Sequence, residues 1–239
     1  MMRYERGYFT FAGTNSKDFG VYLNGDKTFN SPAREIETIS IPGRNGDLVI
    51  DKNRYLNVAH TYDAFIIRHF WGNIRELENF LATQVGYQRL EDTYHPDEFY
   101  LAVFSSGLDV TPTEDLMVGT FTITFNRKPQ RFLKTGEQIQ TFTANGSLRN
   151  PTRETALPLI RVYGVGTFQI GTATITVTSN PGYIDLDCDT ENAYMEATNC
   201  NDYIRLDSDS FPKLPAGQTN VVLGSGITKI EIKPRWWRV

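Results

Sequence analysis

The chain is poor in the residues that most often carry chemistry. Among 239 residues there are two cysteines, Cys188 and Cys200, and three histidines, His60, His69 and His95. In a reducing compartment the two cysteines read as small buried hydrophobes rather than a disulfide. No two histidines stand at metal-ligand spacing, and neither an HExxH nor a CxxC motif occurs. His95 precedes Pro96 in a loop and reads as a turn or interface residue. There is no GxSxG, no P-loop and no GxGxxG; Gly164-Val165-Gly166 is a pair of tight turns, not a phosphate cradle. Carboxylates are plentiful, but nothing marks two of them out as a glycosidase pair. The expectation is therefore no enzyme, no cofactor, no catalytic residue and no metal site.

An excess of one charge is missing too. The 24 basic residues face 28 acidic ones, for a net charge of −4. Up to Arg131 the count is 14 basic against 17 acidic, and after it 10 against 11. Neither half is a basic platform, which argues against direct nucleic-acid binding. No apolar run approaches the length of a membrane span, so membrane insertion is not expected. The opening residues 1–11 lack an apolar signal core, and the chain is expected to be made and kept in a cytoplasm. Aromatic residues at 13% and apolar residues at 40% suffice for ordered cores.

What is present is mostly strand pattern. Tyr8 to Phe11 leads to a turn at Gly13-Thr14-Asn15-Ser16, and Val21-Tyr22-Leu23 leads to Asn24-Gly25-Asp26. Residues 34–41 set Ile36, Ile39 and Ile41 among polar neighbours and end in Pro42-Gly43-Arg44-Asn45-Gly46-Asp47, whose two glycines allow positive φ. Extended structure resumes at Leu48, and a long strand is expected over 60–68. One helix is expected over 73–85: Asn73 and Glu76 have capping-box spacing, Ile74, Leu77, Phe80 and Leu81 share a face, and Gly86 stops it. Residues 91–97 read as a loop, with strands at 99–104 and 119–125. Beyond Lys128-Pro129-Gln130-Arg131 helical periodicity disappears. Strand candidates recur at 138–143, 159–163, 166–170, 173–178, 183–186, 193–196, 203–206, 219–223 and 228–233, the pattern of a sandwich.

Asp185, Asp187, Asp189, Glu191 and Glu196 match the ligand spacing of an EF-hand loop. Thr190, however, stands where that loop needs glycine, and no amphipathic helix flanks it. Ile184, Leu186 and Cys188 alternate with the aspartates, so the stretch reads as a strand with a solvated acidic face.

The chain ends on Pro234-Arg235-Trp236-Trp237-Arg238-Val239. Chain ends are usually frayed and polar, so two adjacent indoles there must be docked on something. This ending is similar to that of the distal tail proteins (Dit) of long-tailed phages and prophages of Gram-positive bacteria. The rest of the chain follows the same family in order. Ile41 to Leu48 resembles the loop of its N-terminal domain, and Leu90-Glu91-Asp92 with His95-Pro96-Asp97 resembles the segment after its helix. Phe125 with Lys128-Pro129-Gln130-Arg131 resembles its domain junction. Asn150-Pro151-Thr152, 158–164, 183–188, Ala193-Tyr194 and 211–214 resemble its C-terminal domain.

The resemblance implies a mainly β, two-domain protein: residues 1–131 a small sheet or split barrel packed on one helix, residues 132–239 a galectin-like β-sandwich. It implies a homohexameric ring formed by the N-terminal domain, a hub joining the tail tube protein to the tail-tip or tail-associated lysin protein, and docking of receptor-binding or upper baseplate proteins. The site would be the virion tail, with assembly in the host cytoplasm. Arg44, Asn45 and Asp47 are candidate subunit-interface residues, although a plain hairpin turn also accounts for them; Trp236 and Trp237 are candidate domain-docking residues. The alternative is a carbohydrate-binding module for host-surface saccharide, using Tyr183, Tyr194 and Tyr203 with Asn199, Asn201 and Asp202.

Overall fold

The protein is described here from a computed structural model over residues 6–24, 30–67, 69–112, 118–207 and 210–239. Residues 1–5, Gly25 and Asp26 of the expected turn, and Arg68 of the expected 60–68 strand lie outside the described residues. The fold is mainly β, with one α-helix among the described residues. It divides into two compact units, 1–131 together with Val239, and 132–238.

The first unit contains β1 (Phe9–Phe11), β2 (Thr14–Asn15), β3 (Val21–Leu23), β4 (Arg34–Ile39), β5 (Leu48–Tyr55), β6 (Val58–Ile67), α1 (Phe70–Thr83), β7 (Gln88–Asp92), β8 (Glu98–Val103), β9 (Val110–Pro112) and β10 (Val118–Arg127). An antiparallel sheet runs β2-β1-β7-β8-β10-β6-β3, with β9 added beside the start of β10. Its spine is the ten-residue pairing of β6 with β10. Both strands alternate: Tyr62, Ala64 and Ile66 face inward from β6, and Phe121, Ile123 and Phe125 from β10. Phe11 packs on Phe125 at 4.8 Å between ring centres. Helix α1 covers this face with Phe70, Ile74, Leu77 and Leu81.

Two expectations fail in this unit. The helix begins at Phe70, not Asn73, and its N-cap His69 sits at φ 47° with no side-chain cap. Packing overrides the capping signal: Phe70 lies so close to Gly119 that any Cβ there would overlap its ring. Glu91 and Asp92 belong to β7 rather than to a loop, because β7 pairs with both β1 and β8.

At the junction lies β11 (Arg131–Leu133). The second unit then holds β12 (Gln140–Phe142), β13 (Gly146–Asn150), β14 (Leu159–Gly164), β15 (Gly166–Ile170), β16 (Ala173–Val177), β17 (Ile184–Asp187), β18 (Asn192–Met195), β19 (Thr198–Asn199), β20 (Ile204–Leu206), β21 (Gly217–Leu223), β22 (Ile227–Lys233) and β23 (Trp237–Arg238). Two antiparallel sheets form, β12-β22-β14-β17-β18-β19 and β13-β21-β15-β16-β20. Ile160, Val162, Ile184, Leu186, Ile230 and Ile232 of the first sheet share a core with Phe168, Ile170, Ile175, Val177 and Val221 of the second. Cys188 and Cys200 are buried and free, and burial pushes the Cys188 thiol up. The corner between β14 and β15 locks against the turn before β22. Gly164 (φ 97°) meets the Gly226 carbonyl, and Gly226 (φ 87°) meets that of Val165, so closely that a Cβ on either would overlap the oxygen.

Candidate interaction surfaces

β4 and β5 form a two-stranded ribbon paired with no other strand among the described residues. Register sets Ile39 opposite Leu48 and Glu37 opposite Ile50 on one face, with Thr38 opposite Val49 and Ile36 opposite Asp51 on the other. Ile36, Ile39, Leu48, Val49 and Ile50 are all exposed, Val49 by 57%. Cross-strand ion pairs tie the ribbon: Arg34–Asp51 at 2.7 Å, Lys52–Glu37 at 2.6 Å, and Arg54–Glu35. Such surface pairs contribute little each. An isolated ribbon is marginal in water, and large apolar side chains on both faces have nothing to cover them within the described residues. At its tip Gly43 and Gly46 both take φ 79°, and the Arg44 N–H donates to the Ile41 carbonyl at 3.1 Å. Arg44, Asn45 and Asp47 stand exposed there, and neither charge is ion-paired among the described residues.

The terminal indoles are held inside the second unit. Trp236 is 3% exposed in the sandwich core, and Trp237 packs beside it, its Nε1–H donating to the Thr155 carbonyl at 3.0 Å. The Leu133 N–H donates to the Trp236 carbonyl at 2.8 Å. Arg235 takes φ 58° and anchors the turn: its backbone N–H donates to Gly136 at 2.8 Å and its guanidinium makes two bonds to Asp187.

The solvated acidic strand expected at 184–188 is a correction. β17 ends at Asp187, and both its carboxylates are ion-paired. Asp185 is buried, with Arg161 Nε and Nη2 each donating at 2.7 Å, and Asp187 belongs to Arg235. Burial alone would raise the Asp187 pKa, but Arg235 overcomes it and holds the carboxyl below its ordinary value. Glu191 and Glu196 are turn residues with positive φ. No cluster of three metal-ligating side chains occurs among the described residues. Of the six saccharide candidates, Tyr194 and Asn199 are paired on β18 and β19, and Asn201, Asp202 and Tyr203 make a short 3-10 turn whose Asn201 N–H donates to Asn199 Oδ1 at 2.9 Å.

A polar hub in the first unit went unread. Asp92, at the end of β7, accepts from the Tyr62 hydroxyl at 2.7 Å, from His95 Nδ1 at 3.0 Å, and from the backbone N–H groups of Tyr94 and His95 at 2.8 Å. His60 Nε2 lies 3.8 Å away, beyond hydrogen-bond length. Burial pushes Asp92 up, but these neighbours overcome it and leave the carboxyl well below the carboxylate range. Arg127 is wholly buried beside them, 4.7 Å over the Tyr100 ring, and donates to the carbonyls of Asn30 and Lys128 at 2.8 and 3.2 Å. The available signal was alternation: Arg127 continues the inward series Phe121, Ile123, Phe125.

A fold comparison places the whole chain. The solved SPP1 Dit protein, described as a paradigm of the hub adsorption apparatus in Gram-positive-infecting phages, superimposes with a TM-score of 0.75 over 98% of this chain and 100% of that one. This is the Dit fold. Sequence identity is 13%, so the likeness is one of architecture. A structure of the phage p2 baseplate in its activated conformation with Sr matches with a TM-score of 0.52 and 11% identity, over 98% of this chain and 99% of that one. No protein-family model matches the sequence, and no curated protein matches it.

Proposed function

We propose that this Dit-fold protein is a structural component of a phage tail tip, working by assembly rather than catalysis. The observation that carries the reading is the end-to-end match to a phage hub protein, with both units included. In this reading six copies form a ring through residues 1–131, and the β4–β5 ribbon lies against a neighbouring copy. A closed ring has heterologous interfaces, so each copy needs a projecting face and a receiving one. A ribbon with exposed isoleucines on both sides is suited to the projecting role. Residues 132–239 then face peripheral or receptor-binding proteins, and the ring joins the tail tube to the tip proteins. The place of action is the virion tail.

Light scattering on the purified chain tests the ring directly. Six copies of a 27.2 kDa chain give a particle of about 163 kDa. A monomer of 27.2 kDa at all workable concentrations, with no shift on adding tail tube protein, is the result that removes the ring.

A further inference from the structure

Three asparagines in the chain precede a glycine: Asn24-Gly25, Asn45-Gly46 and Asn145-Gly146. Gly25 lies outside the described residues. The other two pairs stand in opposite surroundings. Asn145 comes just before β13, where its Oδ1 accepts from the Leu223 N–H at 2.9 Å, and Gly146 is paired opposite Val221 as the first residue of the strand. Asn45 is at the tip of the β4–β5 ribbon. It is exposed, Gly46 after it takes φ 79°, and among the described residues no hydrogen bond holds the Asn45 side chain or the Gly46 N–H. The backbone bond across the tip stops one residue short, at the Arg44 N–H.

This contrast bears on a reaction that an Asn-Gly pair undergoes without any catalyst. The backbone nitrogen of Gly46, its proton passed to solvent base, forms a bond to Asn45 Cγ. The bond from Cγ to the side-chain nitrogen breaks, and that nitrogen leaves as ammonia. Water then opens the five-membered imide at one carbonyl or the other, leaving aspartate or isoaspartate. Ammonia is exchanged for water, and nothing is oxidised or reduced. The step needs a nitrogen that no Cβ crowds, and freedom for the side chain and backbone to turn towards each other. Both conditions hold at the tip, where Gly46 has open space around it and nothing equivalent to the Leu223 bond restrains Asn45.

We propose that Asn45 is a site of spontaneous conversion to aspartate and isoaspartate, and that the fold protects Asn145 from the same reaction. To cyclise, Asn145 must give up its bond to Leu223 and draw Gly146 out of its pairing with Val221. Asn45 gives up no such contact. The loss of one hydrogen bond of ordinary worth slows the step by about tenfold, and the strand pairing adds to that. The position gives the product its consequence. Arg44 and Asp47 flank the pair, so the tip is balanced in charge, and a carboxylate at position 45 makes it acidic. Isoaspartate also lengthens the main chain by one methylene within the turn that joins β4 to β5. The proposal concerns the tip of the single chain and does not rest on the ring.

The test is peptide mapping by mass spectrometry of the full chain held in mildly alkaline buffer, folded and in concentrated urea. Val49→Asp is run beside the unaltered protein, so that a second copy lying on the ribbon does not hide the tip. In the folded protein the peptide holding Asn45 should exchange ammonia for water at least about tenfold faster than the peptide holding Asn145. Its products should separate by chromatography into aspartate and isoaspartate forms. In urea the two rates should approach each other, because the fold, more than the flanking residues, sets them apart. Equal rates at the two sites in the folded protein overturn the proposal. So does an Asn45 that reacts in urea but in neither folded chain, or aspartate as the sole product, which is direct hydrolysis without the Gly46 nitrogen.

Discussion

The Arg235 guanidinium spans Asp187 with two bonds of 2.6 and 3.1 Å, fixing the last turn of the chain to the end of β17 across 48 residues. Both side chains are mostly buried. Removing either leaves the other unmatched, so Arg235→Ala should cost about 1.5–3 kcal/mol in the second unit. Two of the three tryptophans lie in this unit, so urea unfolding followed by indole fluorescence reads it. The Asp187 pKa is lowered in the fold, so its stabilisation is full above the ordinary carboxylate value and is lost as pH falls through the folded value. Arg235→Ala should therefore also weaken the acid sensitivity of this unit. An unchanged urea midpoint would show the pair to be idle.

His60 gives the first unit a different pH dependence. Burial is the main cause of its lowered pKa, with Arg127 adding to it and Asp92 working against it. Below about pH 6.5 the unfolded chain takes up a proton that the buried imidazole refuses. Stability should then fall as pH drops from neutrality towards His60's folded value, by at most about 1.4 kcal/mol per pH unit. Asp92 is held well below the carboxylate range, so its contribution is not lost until much more acidic conditions. Urea midpoints of the first unit between pH 7 and pH 5 check this, and His60→Phe should flatten the slope. An equal slope in the variant would assign the effect to another group.

Two glycines with similar backbones separate strain from overlap. Gly217 (φ 90°) has open space where a Cβ would go, whereas at Gly226 (φ 87°) that position overlaps the Val165 carbonyl. Gly217→Ala should cost about 1–2 kcal/mol, the penalty of left-handed backbone alone. Gly226→Ala should cost clearly more, because the β14–β15 corner must move. Thermal melts of the two variants decide between them, and equal losses would remove the overlap argument.

Strands whose two faces meet different surroundings were legible. β15 starts and stops where its alternation does, and β6 and β10 differ from their expected bounds only at the ends. β13 was not legible, since Gly146-Ser147-Leu148-Arg149-Asn150 has one apolar side chain and is a strand only because β21 pairs with it along its whole length. The acidic face of β17 was misread for a related reason. Arg161 is 24 residues from Asp185, and Arg235 is 48 from Asp187, so local pattern shows the carboxylates without their partners. The Asp92 hub is assembled from β6, β7 and the 93–97 turn in the same nonlocal way.

The last prediction concerns the ribbon. If β4 and β5 lie against a second copy, charge or polarity introduced there should act on assembly and not on folding. Val49 is exposed and lies on the face that also carries Ile36, so Val49→Asp removes nothing from either core. At a desolvated contact an unmatched charge costs on the order of 2–5 kcal/mol, enough to move a ring of micromolar stability towards monomer. Arg44→Glu should act in the same direction at the tip. Arg235→Glu, by contrast, breaks the pair with Asp187 in the second unit, and should lower thermal stability while leaving the particle mass unchanged. Light scattering with a thermal melt on each of the three full-length variants separates the two effects. If Val49→Asp and Arg44→Glu keep the mass of the unaltered protein while Arg235→Glu dissociates it, the interface belongs to residues 132–239 and the assigned roles of the two units exchange.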